Sequence, residues 1–154
     1  MAASKPMWKC GGCGRSFANR NQPHFCGRHT LREHLRGRTP ELLKIFRAFV
    51  KMARGCGRVR ILPEKTRIAF QERMSFAAVS FRRDGLNGHL VLASRVEHPH
   101  FVKIETISLR NHVHHFRLRS IDQLDSEFAR LMREAYRVGR QLHLRTRTAG
   151  SAYS

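Results

Sequence analysis

The residues with the clearest chemical signature stand near the N-terminus. Cys10-Gly11-Gly12-Cys13 is followed by Cys26, with His24, His29 and His34 interleaved. Two thiolates two residues apart can grip one ion, and the glycines let the backbone turn tightly enough to aim amide N–H groups at the sulfurs. Cys26 is the natural third ligand. For the fourth, His24 offers a compact His-x-Cys pair and His29 the more familiar Cys-x-x-His spacing, with His34 more remote. Thiolate and imidazole donors suit zinc, and a closed set of four makes the ion structural rather than catalytic. Glu33 is the sole acid in the segment, so nothing beside the cluster stands ready as a base. Phe17, four residues after Cys13, is expected to pack beneath the site. Cys56, between Gly55 and Gly57, is read as a free thiol at a helix end.

A second chemistry is set by charge. Thirty Lys and Arg face eleven Asp and Glu, a formal net charge of +19. The excess runs along the whole chain and is densest before residue 40, where 8 basic side chains meet 1 acidic one. Such a field draws polyanions, which points to nucleic acid or an acidic protein as partner. Candidate anion contacts are Arg15, Arg20 and Arg28 in the cysteine segment. Lys65, Arg67, Arg95, Arg117 and Arg119 are the candidates further on. No nucleic-acid-reading motif accompanies them.

A third candidate is the histidine-rich stretch containing His98, His100, His112, His114 and His115. On a strand, His112 and His114 share one face and His115 takes the other. Paired carboxylates, a Ser/His/Asp order and a phosphate-cradling glycine loop are absent, and Glu105 and Asp84 read as isolated acids. The expectation is therefore surface histidines and a non-catalytic binding protein. An enzyme using the histidine region is the weaker alternative, and a protein-interaction adaptor with a zinc lobe is another.

These groups need a scaffold. Residues 1–37 hold few apolar side chains and require a staple to keep a shape. A helix is predicted over 40–54, with Thr39 as N-cap and Pro40 at the first position. Leu42, Ile45, Phe46, Phe49 and Ala53 form its buried face, and Gly55 and Gly57 end it. Strands follow around Val59–Ile61, Arg67–Gln71, 74–82, His89–Ser94, Phe101–Ser108 and Val113–Arg119. Asp84-Gly85 and Asn87-Gly88 both read as turns. Ser120 with Gln123 forms a capping-box pattern that opens a last helix, striped by Ile121, Leu124, Phe128, Leu131, Met132, Ala135 and Val138. The predicted class is α+β: a zinc knuckle (1–37), then a domain (38–144) of helix, five or six mostly antiparallel strands and helix, then a flexible tail (145–154). Neither a secretory leader nor an apolar run of membrane-spanning length is seen, which gives a cytoplasmic expectation and no membrane partner.

Certain segments also carry a resemblance. The run from Met7 to Gly27, including Asn21-Gln22-Pro23-His24-Phe25-Cys26, resembles the zinc-finger-like N-terminal segment of a bacterial family catalogued as domain of unknown function 5655. Lys65-Thr66-Arg67-Ile68-Ala69-Phe70, Glu97-His98-Pro99-His100-Phe101-Val102-Lys103 and Glu134-Ala135-Tyr136-Arg137-Val138-Gly139 are similar to the same family, so the likeness spans roughly residues 7–143. The family pattern, Cys-x-x-Cys followed by Asn-Gln-x-His-x-Cys, implies His24 rather than His29 as fourth ligand. Gly11 departs from the Pro common in such knuckles, which softens the turn and removes no ligand. The resemblance implies no activity.

Overall fold

A computed structural model describes residues 6–22, 24, 26 and 29–144. The expected tail (145–154) and Arg28 lie outside the described residues. The chain is α+β. Two short strands, β1 (Trp8–Lys9) and β2 (Ser16–Phe17), pair antiparallel around the Cys10–Cys13 turn. Gly14 sits at φ +73°, a conformation that favours glycine, and its N–H closes the turn onto the Cys10 carbonyl at 2.8 Å.

A helix of five residues, α1 (Leu31–Leu35), follows, capped by the Thr30 hydroxyl accepting from Glu33 N. It falls inside the segment read as the zinc knuckle (1–37), where no helix is predicted, because one and a half turns are too short to show a period. The second helix, α2 (Pro40–Arg54), opens on Thr39, whose Oγ1 accepts from Leu42 N at 3.2 Å. It buries Leu42, Ile45, Phe46, Phe49 and Ala53, the face anticipated from spacing.

Six strands then form one antiparallel sheet: β3 (Arg60–Pro63), β4 (Ile68–Gln71), β5 (Ser75–Arg82), β6 (Gly85–Leu92), β7 (Phe101–Ser108) and β8 (Asn111–Leu118). Their spatial order is β3-β4-β5-β6-β8-β7, so β3 and β7 are the edges and β8 inserts beside β6. The last helix, α3 (Ser126–Gly139), packs with α2 on one face of the sheet. Between them Phe49 meets Phe70, Phe116 and Phe128 at ring separations of 5.1, 5.7 and 6.3 Å. No helix among the described residues is long and apolar enough to cross a membrane.

Asn87-Gly88 is not a turn. The chain reverses at Arg83-Asp84, and Gly85 already pairs with Arg82, so Asn87 and Gly88 lie inside β6. Gly88 is needed there for space, since a Cβ would run into the Ala78 carbonyl and come within 2.7 Å of the Phe116 ring. The final helix also starts later than expected. Ser120 and Gln123 do form a capping box, but on a single 3-10 turn, Ile121–Gln123. Leu124 leaves helical geometry, and Asp125 caps α3 by accepting from Phe128 N at 2.9 Å. His112 and His114 are buried rather than surface residues. His114 is fully enclosed, its Nε2 accepting from Val96 N and its Nδ1 donating to the His112 carbonyl.

Candidate metal centre and open sheet face

The β1–β2 turn brings Cys10 and Cys13 to one side, and the segment after Asn21 returns His24 and Cys26 to meet them. One ligand atom from each lies within 4.8 Å of all the others. Sγ of Cys10 and Sγ of Cys26 are 3.7 Å apart, and Nε2 of His24 is 3.3 Å from Cys13 Sγ and 3.0 Å from Cys26 Sγ. In a tetrahedron with metal–sulfur bonds of about 2.3 Å, neighbouring sulfurs stand about 3.8 Å apart. The four residues fit such a site.

The imidazole is oriented from outside the cluster. His24 Nδ1 is 2.7 Å from the Gln22 carbonyl, which can only accept. Nδ1 therefore carries the proton, and the Nε2 lone pair faces the sulfurs. The ring stacks on buried Phe17 at 4.0 Å, and Trp8 lies 6.2 Å away edge-on, which gives the knuckle its small aromatic core. Backbone N–H groups of Cys13 and Gly12 lower the Cys10 thiol to about 6, while Cys26, hydrogen-bonded to Cys10, is raised to about 11. One thiolate thus forms readily and a second beside it does not, an imbalance that a divalent cation relieves. His29 stands apart, its Nδ1 3.1 Å from Glu33 Oε2. Cys56 is also apart, half-buried, its Sγ donating to Met52 O at 3.6 Å, and burial pushes its thiol up.

Hydrogen bonds between described residues seat the knuckle on the sheet domain. Arg60 donates to Ser16 O at 3.2 Å, Arg15 to Pro63 O at 3.4 Å, and Ala18 N to Arg73 O at 3.1 Å.

The sheet face away from the helices holds a second constellation. Cross-strand pairing aligns Ala78, His89 and His115 on β5, β6 and β8, with Lys103 of β7 beyond them. A groove of about 650 Å³ lies over this row, lined by Arg82, His89, Lys103, Glu105, His115 and Arg117 among others. His115 Nε2 is 2.6 Å from Glu105 Oε1, and Lys103 Nζ is 3.8 Å from the same oxygen. Both contacts hold the Glu105 carboxyl below its ordinary range, the His115 hydrogen bond most strongly. The His89 ring lies 5.9 Å from that of His115, edge to face. Desolvation, aided by the charges of Arg67 and His115, lowers His89 to about 4, so it is neutral at physiological pH.

The family profile described as Domain of unknown function (DUF5655) matches residues 31–139. The chain belongs to this family. The match runs from α1 to the end of α3, so the groove lies inside the DUF5655 domain and the Cys/His cluster lies before it. No curated protein and no solved structure matches the chain.

Within the DUF5655 domain the expected anion contacts scatter. Arg117 lines the groove, and Arg67 lies near its histidines while bonded to Glu64 at 2.7 Å. Arg95 reaches Thr106 Oγ1 at 3.4 Å, Arg119 pairs with Asp84 at 3.7 Å, and Lys65 is exposed in the β3–β4 turn. Ahead of the domain, Arg15 helps seat the knuckle and Arg20 is exposed. Residue spacing missed Arg82, His89 and the Glu105–His115 pair. Glu105, read as an isolated acid, is the partner of His115, because the β7–β8 register sets Lys103 opposite His115 and Glu105 opposite Val113, which leaves Glu105 on the diagonal within reach of the ring.

Proposed function

We propose that this chain binds single-stranded nucleic acid across the open sheet face, with a structural zinc ion stapling the N-terminal knuckle. The observation that carries the binding is the pair Arg82 and Arg117. Both residues line the groove, and neither guanidinium has a carboxylate partner among the described residues. Unpaired guanidiniums beside Lys103 suit phosphate oxygens, and the His89 and His115 rings give flat surfaces on which bases stack. The net charge of +19 speeds encounter with such a partner.

Three sulfurs and one imidazole fill a tetrahedral shell and leave no position for a reactive water, which supports a structural role. Reduced thiols in that shell suit a cytoplasmic setting.

The test is a salt titration with labelled single-stranded RNA and DNA. Three cations meeting phosphates give a slope of log affinity against log salt of about −2. Arg82→Glu combined with Arg117→Glu lowers affinity by about tenfold or more and flattens that slope. Absence of binding at low salt overturns the reading. Exposed Val102, Ile107 and Leu109, on and just beyond edge strand β7, favour an adaptor for an acidic protein as second reading. Stoichiometric capture of such a protein, with no nucleic-acid binding, would select it.

A further inference from the structure

Several of the histidines are held by evident structural partners. His34 is buried against the Glu64 carbonyl, His112 bridges Thr106 Oγ1 and the Leu109 carbonyl, and His114 is enclosed with both nitrogens bonded. His98 accepts from His100 N, and Gln123 meets the His100 ring. His89 and His115 differ. They are direct cross-strand partners on the open face, and both line the groove. His115 uses Nε2 on Glu105, which leaves Nδ1 for a ligand. The His89 ring has a contact with that of His115 and no side-chain hydrogen bond among the described residues. Two imidazoles at 5.9 Å, one of them oriented by a carboxylate, thus share a groove with Lys103 and two unpaired arginines.

From this juxtaposition we infer that the groove cleaves RNA by acid–base transesterification, with His89 and His115 acting on opposite sides of one phosphodiester. The inference rests on the nucleic-acid reading above. Imidazole is the side chain best suited to move protons near neutral pH. His89, which is neutral, takes the proton of the ribose 2′-hydroxyl as the 2′-oxygen forms a bond to phosphorus. The bond from phosphorus to the 5′-oxygen breaks, and protonated His115 gives its Nδ1 proton to that departing oxygen. The products are a 2′,3′-cyclic phosphate and a free 5′-hydroxyl. One proton is taken up and one released, and exchange with water restores both rings. Glu105 acts through His115 as a positioning residue that stabilises the imidazolium. Arg82, Arg117 and Lys103 offset the negative charge that grows on the phosphoryl oxygens. DNA lacks the 2′-hydroxyl, so it binds and is not cut.

The test uses the full-length, metal-bound protein with a single-stranded RNA, the DNA of the same sequence, and an RNA carrying one 2′-deoxy nucleotide. Cleavage is expected in RNA alone, leaving cyclic phosphate and 5′-hydroxyl ends and sparing the bond after the deoxy position. His89→Ala and His115→Ala, purified in parallel, each lower the rate by about 100-fold or more. Both keep the thermal midpoint, and each loses at least about tenfold more in cleavage rate than in affinity for the DNA, as expected where the ring moves a proton as well as stacking on a base. Glu105→Gln lowers kcat less than His115→Ala does and leaves KM for the RNA unchanged, as expected of a group that acts through His115 rather than on the substrate. DNA binding of normal salt dependence without RNA cleavage above the His89→Ala level overturns this inference and leaves the binding reading standing. Failure to bind either strand overturns both.

Discussion

Between Trp8 and Cys26 the chain encloses Cys10, Phe17 and Ala18, while the sheet and its helices fully enclose Phe49, Phe70, Phe76, Phe116 and Phe128. The first region is shaped by four ligand atoms drawn to one point, and the second by apolar area withdrawn from water. The two meet through a few hydrogen bonds from Arg15, Arg60 and Ala18. One chain thus contains a lobe gathered around a cluster that could hold a metal ion and a domain gathered around an apolar core.

The sharpest way to break that contrast is to remove the metal. Native mass spectrometry is expected to find one zinc per chain, lost on chelation and in Cys10→Ser or Cys26→Ser, and kept in His29→Ala. Structural zinc sites contribute about 10 kcal/mol or more to the segments they fold. Amides near Cys10 should therefore exchange freely after chelation while those of β5, β6 and β8 stay protected. Loss of protection in the sheet as well would show that the two regions fold as one. The next largest effect is the converse. Phe49→Ala empties the centre of the aromatic cluster and should cost about 3–5 kcal/mol in denaturant unfolding. At temperatures where the variant is folded, its zinc content should not change. The smallest effect is at the seam. Arg60→Ala removes one hydrogen bond to Ser16 O, worth about 1 kcal/mol, and should raise exchange at β1 and β2 without moving the domain's melting temperature. A fall in that temperature would mean that the seam carries domain stability.

How far the sequence reveals this molecule depends on how local each feature is. Thr39 and Pro40 announce α2, and Cys-x-x-Cys announces the turn that gathers the cluster, because neighbours in sequence make both. The α+β order follows from strand runs between helical stripes. Choosing His24 over His29 needs the path of the chain after Asn21, which spacing alone leaves open. The start of α3 was obscured by Ile121 and Leu124, whose spacing continues the helical stripe across a break at Asp125. The groove was hidden most fully. His89, Glu105 and His115 come from three strands, and their meeting is decided by register, which leaves no trace in adjacent letters.

That register has its own guard in Gly88. Val79 and Phe116 flank it on the neighbouring strands, and the Ala78 carbonyl and Phe116 ring fill the room a side chain would need. Sliding β6 by one position would push the imidazole of His89 or the amide of Asn87 into that gap, where neither fits. A missing side chain thus works as an alignment key for the whole face, and one hydrogen atom at residue 88 keeps two histidines opposite each other.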